Sequence, residues 1–574
     1  MAMISSRTGF NGLRTVTGGW AVVEALEAEG VEAVFGIPGV HNLPIYDALA
    51  DGSTIRHYLA RHEQGAGFMA DAYARSSGRV GIVLATTGPG VTNSLTALAN
   101  AYADSVPLVL ITTTVATPGL AGRQGALHEL KDQHALLANT VEAALQAERV
   151  EEIGSKVREA FRLARGGRPR PVAVEVPVDV LASEYRIASA SLTPSEKATL
   201  RNKVGSRRRG CNGAFTLLGR TQLASLRQAA EMLRLSSHPL IYAGGGSALA
   251  GAEAEVRELA ELLRAPVLTT EQGKGIIPED HPLSLGTSWR VEPAPGTYSD
   301  FLQRSDLWLA VGTTFDSMNT AKWGLPVSDN LIQIDLDPGQ VGRNYPVRVG
   351  IHADAKWALE ELLCKLRAQG THESGWEPGE IAAERRRQME QGLRRSPQAF
   401  RLLEQLRRAL GQEGLLALDS AIPSFWAARY YPSPRPRSLL FSGIATLGYG
   451  LPAAIGAKVA FPNRPVAALA GDGGFLFTVE ELAAATQAGL SIPIVLVNDQ
   501  RFGMIKYVQR EEYAGRYIAV DLANPDFVKL AQAFGARGYR LENVDALADT
   551  MADALAARGP TVIEVPLTLE PPVF

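Results

Sequence analysis

The sequence predicts an α/β protein built from parallel sheets, and three observations point there. Short apolar runs, each ending in a glycine or acidic turn, alternate with helical patterns along almost the whole chain, as βαβ units require. The length, 574 residues, suggests about three or four domains. Near the C-terminal end, one such unit carries chemistry at both strand ends. An apolar run at 466–470 leads into Gly471-Asp472-Gly473-Gly474-Phe475, and a second at 492–497 leads into Asn498-Asp499-Gln500-Arg501-Phe502-Gly503. Residues 478–488 between them read as a helix, with Thr478 as N-cap and Glu481 completing a capping box. Asp472 and Asp499 then lie at the carboxyl edge of a parallel sheet, where such folds bind ligands. Two oxygen ligands, with glycines that let backbone approach a phosphate, suggest Mg²⁺ carrying a diphosphate. The plainer alternative is a strand-end turn and a cap.

Composition is that of an ordinary globular protein, 46% hydrophobic and 20% charged. A formal charge of −3 argues against a nucleic-acid surface. Cys211 and Cys364 are too few for a zinc site or a disulfide framework and fit a reducing compartment. No apolar run reaches the ~18–20 residues of a membrane span. The first 15 residues lack the apolar core of a signal peptide. These features lead us to expect a cytoplasmic protein.

The first block, 15–185, begins with an amphipathic helix at 19–30. A strand at 33–35 ends in Gly36-Ile37-Pro38-Gly39-Val40-His41, a tight glycine/proline turn. In Arg61-His62-Glu63-Gln64, Glu63 lies at a strand end or in the first turn of the helix that follows. A strand at 80–85 runs into Thr86-Thr87-Gly88-Pro89-Gly90-Val91-Thr92-Asn93, a loop rich in glycine and hydroxyls. A further strand at 106–112 precedes a polar segment at 122–133. Residues 186–222 break the pattern. The basic run 201–209 reads as exposed linker, with a site for an anionic ligand or acidic partner as the alternative. In the second block, 223–370, a strand at 239–243 enters Gly244-Gly245-Gly246-Ser247 and a helix reaching 264, followed by strands at 266–269, 307–311 and 331–334. This resembles a nucleotide-binding sheet, although glycines after a strand often only make the turn. Residues 371–400 are charged and helical, a connection. The third block, 401–574, opens with a strand at 415–418 ending at Asp419-Ser420. A glycine-rich turn at 441–452 enters a helix before the two-aspartate unit.

These motifs together resemble the thiamine-diphosphate enzymes that include acetolactate synthase, benzoylformate decarboxylase and related 2-oxo acid decarboxylases, over about 15–570. The resemblance implies three doubly wound parallel-sheet domains: one for the aminopyrimidine (PYR, 15–185), a central one (223–370) and one for the diphosphate and Mg²⁺ (PP, 401–574). It implies that Asp472, Asp499 and the backbone oxygen of Arg501 ligate Mg²⁺, and that Gly473 and Gly474 offer N–H groups to the diphosphate. Leu447 matches the bulky residue that bends the cofactor, and Ala445 and Met504 present backbone to the pyrimidine. Pro38, Gly471, Phe502 and Gly503 complete the cofactor set. Glu63 matches the glutamate that contacts the pyrimidine N1′. The commoner family pattern ends in Asn-Asn; here it is Asn498-Asp499, an added negative charge that keeps an oxygen ligand. The implied reaction is decarboxylation of a 2-oxo acid through an enamine, which is protonated to an aldehyde or attacks a second carbonyl.

Substrate-side positions differ from those of acetolactate synthase: Thr113-Thr114, Leu127-His128, Val508 and Ala421-Ile422-Pro423 stand where those enzymes carry other residues. The stretches 36–41, 61–75 and 126–133 instead look similar to the 5-guanidino-2-oxopentanoate decarboxylase group. A 2-oxo acid decarboxylase is therefore expected, with an acetolactate synthase-type carboligase as the alternative. An oxidoreductase built on the 244–246 run, or a non-catalytic cofactor-binding protein, fits less well. Val40, Leu127, His128 and Val508 are expected around the substrate. His41 and His128 are candidate proton-handling groups, with Glu129 beside His128 near the thiazolium and a surface loop as the other reading. Trp289 and Arg290 are candidates for lining the entrance. The 244–246 run with Thr269-Thr270 also resembles FAD-containing relatives, but fold analogy is a poor guide to occupancy, and FAD is the minority expectation. The family pattern further implies a homodimer or homotetramer with active sites at the subunit interface, a small 2-oxo acid substrate, and no nucleic-acid or membrane partner.

Overall fold

The computed structural model describes residues 13–120, 124–188, 219–289, 298–370 and 374–572. The chain forms two compact units, Met1–Ala214 with Ile455–Phe461, and Phe215–Ala454 with Pro462–Phe574.

The first unit carries strands β1 (Leu13–Thr17), β2 (Ala33–Gly36), β3 (Arg56–Leu59), β4 (Gly81–Ala85), β5 (Leu108–Thr114), β6 (Ala143–Gln146), β7 (Val172–Pro177) and β8 (Glu184–Ala188). β1 and β8 form an antiparallel ribbon. The other six make a parallel sheet in the order β3-β2-β4-β5-β7-β6. β4, β5 and β7 are buried along their whole length, as strands covered on both faces must be. The helix Gly18–Ala28 starts on Thr17, whose side chain accepts from the Trp20 N–H, and it packs Val22 and Leu26 into the core.

The second unit holds two more six-stranded parallel sheets. One comprises β9 (Pro239–Ala243), β10 (Val267–Thr269), β11 (Ser284–Thr287), β12 (Leu307–Val311), β13 (Leu331–Asp335) and β14 (Val349–His352), in the order β11-β10-β9-β12-β13-β14. The other comprises β15 (Leu415–Leu418), β16 (Leu439–Phe441), β17 (Val466–Gly471), β18 (Pro493–Asn498), β19 (Arg537–Arg540) and β20 (Thr561–Pro566), in the order β16-β15-β17-β18-β20-β19. The α/β class and the three parallel sheets are as the sequence led us to expect. In every sheet the winding reverses at an inner point, between β2 and β4, between β9 and β12, and between β15 and β17; the first and third sheets turn back again at one edge, where β7 and β20 insert inside β6 and β19. Parallel sheets open a crevice for ligands at such reversals. Among the described residues, no helix is long and apolar enough to cross a membrane.

Several expected details are corrected. The helix after Asp472 begins at Glu481, with no side-chain cap. Thr478 caps nothing; its buried hydroxyl donates to the Gly448 carbonyl at 2.8 Å, a tertiary bond that local spacing does not reveal. The single helix expected up to 264 is two, Gly245–Ala250 and Glu253–Leu263, broken at left-handed Gly251. Both ends of the expected linker belong to regular elements, β8 and the helix Gly219–Leu235; the basic run and Cys211 lie outside the described residues. Trp289 does not line an entrance. It is 1% exposed and packs its ring on Phe425 and Phe441, at 5.2 and 6.0 Å between centroids; Arg290 lies outside the described residues.

Candidate active site

The carboxyl edge of the third sheet holds the two aspartates. β17 ends at Gly471, and Asp472 opens a single helical turn, Asp472–Phe475. β18 ends at Asn498, and Asp499 follows. The parallel pairing of β17 with β18 brings the two turns side by side. Asp472 is 2% exposed. Its Oδ2 accepts from Asn524 Nδ2 at 2.6 Å, and its Oδ1 from the Gly473 N–H at 2.9 Å. Asn524 Nδ2 also donates to Asn498 Oδ1 at 3.0 Å, while its Oδ1 is buried without a partner among the described residues. Asp499 accepts from Arg501 Nε at 2.9 Å. Burial pushes both carboxyls above the usual range. At Asp499 the Arg501 hydrogen bond opposes the rise and the charge of Asp472 adds to it. Two such carboxylates and an orphaned amide oxygen form an oxygen-rich donor set that suits a hard divalent cation.

Beside them lies a cavity of about 260 Å³. Its walls include Ala445, Leu447, Gly471, Asp472, Gly473, Gly474, Asp499, Arg501, Phe502, Gly503 and Met504, so the cofactor positions expected in this half of the chain, scattered over sixty residues of sequence, meet on one surface. The glycines are required. A Cβ on Gly473 would come within 2.5 Å of the Phe502 ring, and one on Gly474 within 2.3 Å of Asp419 Oδ1. Ala445 adopts φ +55°, a left-handed conformation costing on the order of 1 kcal/mol or more outside glycine, which turns its backbone at the cavity wall. These features fit a diphosphate cofactor with its metal: a cradle without side chains, a bulky leucine, and acidic oxygens grouped at one end. Val508 is half-buried on the helix Gly503–Glu512, outside the cavity walls.

Asp419 is a site residue that sequence reasoning missed. It is 1% exposed, just past β15. Its carboxylate accepts from the N–H groups of Ser420 (2.8 Å), Gly448 (3.1 Å) and Gly450 (2.9 Å), tying the Gly448–Gly450 turn to the sheet. Burial raises its carboxyl to about 6 against the pull of those three donors. Its one sequence signal was an acid at the end of a strand facing a glycine-rich turn.

In the first unit, Glu63 is the first residue of the helix Glu63–Ser77, 8% exposed, and its Oε2 accepts from Asn93 Nδ2 at 2.9 Å. The turn after β2 and the loop before the helix Gln133–Ala138 bring His41 and His128 together, ring centroids 5.2 Å apart. His41 Nδ1, His128 Nδ1 and Thr86 Oγ1 are all buried without hydrogen-bond partners among the described residues. Burial, then the neighbouring His128, lowers the pKa of His41, so it is neutral at pH 7. His128 sits at φ +64° against Gly88, where a Cβ would meet the His128 carbonyl at 2.3 Å. Gln133 fixes that loop: its Oε1 accepts from Thr87 Oγ1 and the Gly88 N–H, and its Nε2 donates to the Thr113 carbonyl and to Glu175. Glu129 is not the partner of His128; it closes its own turn on the Ala126 N–H. Pro38, Val40 and Leu127 are exposed on this unit.

Comparison with known proteins matches three family models in succession: thiamine pyrophosphate enzyme, N-terminal TPP binding domain (residues 16–136), central domain (226–362) and C-terminal TPP binding domain (419–565). The chain is 38% identical over 562 residues to the probable 2-ketoarginine decarboxylase AruI of Pseudomonas aeruginosa, covering 96% of this chain and 94% of that one. It is 34% identical to an acetolactate synthase of Arthrospira platensis over 97% of this chain and 95% of the relative. It is also 34% identical to the acetolactate synthase isozyme 2 large subunit of Escherichia coli, over 95% and 94%.

Proposed function

This chain belongs to the family of thiamine pyrophosphate enzymes, and we propose that it decarboxylates a 2-oxo acid with the help of thiamine diphosphate and Mg²⁺. The observation that carries the reading is the pairing of buried Asp472 with half-buried Asp499 beside a cavity that glycines keep free of side chains. Asp472, Asp499 and the Arg501 backbone oxygen would hold the metal. Gly471, Gly473 and Gly474 would hold the diphosphate. Leu447, with backbone from Ala445 and Met504, would seat the rings, and Phe502 and Gly503 would close the wall. Bound there, thiamine diphosphate supplies a nucleophilic carbon and an electron sink for the carbon–carbon bond that breaks. Glu63 Oε1 holds or releases the proton exchanged with the aminopyrimidine. His41 and His128 offer ring nitrogens to the oxygens of the substrate and to the proton that replaces CO₂. Val40, Leu127 and Val508 supply apolar contact to its side chain. The balance is one 2-oxo acid anion and one proton giving CO₂ and an aldehyde.

The similarity to a probable 2-ketoarginine decarboxylase puts 5-guanidino-2-oxopentanoate first among candidate substrates. The acetolactate synthase relatives favour a second reading, a carboligase that passes the decarboxylated unit to another carbonyl. CO₂ release from a panel of 2-oxo acids, with product identification, separates the two. We expect an aldehyde, formed only with thiamine diphosphate and Mg²⁺ present; acetolactate from pyruvate as the main product would select the carboligase. We further infer a cytoplasmic homodimer or homotetramer acting on small molecules.

A further inference from the structure

The helices Glu63–Ser77 and Pro89–Ala103 meet along a ladder of side-chain pairs spaced by helical turns. Asp104 takes Arg75 at 2.9 Å, and Asn100 Nδ2 donates to Asp71 Oδ2 at 3.3 Å. One turn on, Gly67 faces Ala97 so closely that a Cβ on Gly67 would lie 2.4 Å from the Ala97 Cβ. The top rung is Asn93 Nδ2 on Glu63 Oε2, at 2.9 Å. Small residues at the third rung let the helices approach, and that approach brings the Asn93 amide within reach of the carboxylate. The frame beneath Asn93 is stiff: its helix starts on Gly88-Pro89, and the Gly88 N–H is held by Gln133. Among the described residues, Glu63 Oε2 has this one hydrogen bond and Oε1 has none.

Resting on the reading of the chain as a thiamine-diphosphate enzyme, we propose that Asn93 is the positioning residue for Glu63: it anchors Oε2, so that Oε1 alone faces the aminopyrimidine for proton exchange. A carboxylate on a three-torsion side chain rotates freely unless one oxygen is fixed, and a misplacement of about 1 Å can cost about 10²-fold in rate. The amide also suits the charge. Its N–H donates to the carboxylate without introducing a second anion, as an acid at position 93 would. The other titratable group that feels Glu63 is Tyr46, whose phenol is kept neutral first by burial and then by that carboxylate.

The test uses the full chain loaded with thiamine diphosphate and Mg²⁺. It measures proton–deuterium exchange at C2 of the bound cofactor by acid quench and NMR, alongside cofactor affinity and thermal unfolding. Asn93→Asp keeps the shape and loses the donor, Asn93→Ala removes both, and Glu63→Gln is the reference for lost exchange. We expect wild-type exchange to be fast and both Asn93 variants to slow it about 10²-fold, with affinity within about threefold and unfolding temperature within a few degrees of wild type. Wild-type exchange rates in both variants, or slowing that merely tracks lost affinity or lost stability, would overturn the proposal and leave Asn93 as a rung of the helix ladder. A wild-type chain that binds no thiamine diphosphate would overturn the underlying reading, and the proposal with it.

Discussion

The second unit contains two sheets in which the winding reverses at an inner strand, and the two reversal points have been put to opposite uses. Between β9 and β12, glycines close the crevice. A Cβ on Gly244 would lie 2.3 Å from the Gly312 carbonyl and one on Gly246 2.8 Å from Gly312 Cα, and the Gly246 N–H is spent on the Gly312 carbonyl at 2.9 Å. Between β15 and β17 the crevice is open. Asp419 stands at the end of β15 and holds the Gly448–Gly450 turn by its N–H groups, and the space beyond is the cavity lined by Asp472 and Asp499. A glycine-rich turn at a reversal point is therefore not itself a ligand site. In one sheet the glycines let backbone meet backbone, and in the other they leave room beside carboxylates.

The largest effect of substitution is expected at Asp472. Asp472→Ala removes the buried carboxylate proposed to hold the metal and should lower Mg²⁺-dependent cofactor affinity by more than ~100-fold, the upper end for residues that merely support ligands, as read by titration calorimetry. Asn524→Ala, which frees Asp472 Oδ2, should cost about 10–100-fold in Mg²⁺ affinity by the same measurement. Next comes the direct pair. Gly474→Ala and Gly246→Ala each force a side chain into occupied space and should each cost about 1–3 kcal/mol in denaturant unfolding. Only Gly474→Ala should also weaken thiamine-diphosphate binding; equal binding losses in both would erase the distinction drawn between the two crevices.

A smaller, pH-dependent effect is expected at Asp419. Its folded pKa, about 6, lies above the ordinary 3.8. It therefore favours the folded state fully below about pH 4, and that contribution is lost as pH rises through about 6. The two-unit shift corresponds to an order of 3 kcal/mol. Asp419→Asn has no such titration, so the difference in unfolding free energy between wild type and variant should shift against wild type from about pH 4 to about pH 7. A pH-independent difference would contradict the assignment. The smallest effect concerns the closed crevice. Purified protein should be colourless, and added FAD should leave its rate unchanged; a yellow protein would reopen the 244–246 turn as a nucleotide site.

Much of this was legible in the sequence because apolar runs end abruptly in acid or glycine. Those punctuation marks located β17 and β18, placed Asp472 and Asp499 past their ends, and narrowed Glu63 to a strand end or a first helical turn, of which the fold takes the second. What stayed hidden depends on contacts between distant segments. Asn524 lies in an irregular stretch with no periodicity and gains its role only where it reaches Asp472. Asp419 looked like any strand-end acid until the 448–450 turn folded onto it. His41 and His128 were singled out separately, and only the loops of the first unit join them; Glu129, adjacent in sequence, turns to its own backbone instead. Thr478 and Trp289 misled for the same reason: a local pattern suggested a cap and an entrance, while tertiary contacts made a buried hydroxyl bond and a core aromatic.

The most direct test of the central claim is a crystal structure of the protein grown with thiamine diphosphate and Mg²⁺. The metal should lie between the carboxylates of Asp472 and Asp499, with the diphosphate against Gly473 and Gly474. Density for the cofactor at the 244–246 turn instead, or a metal that leaves Asp472 uncoordinated, would contradict that claim.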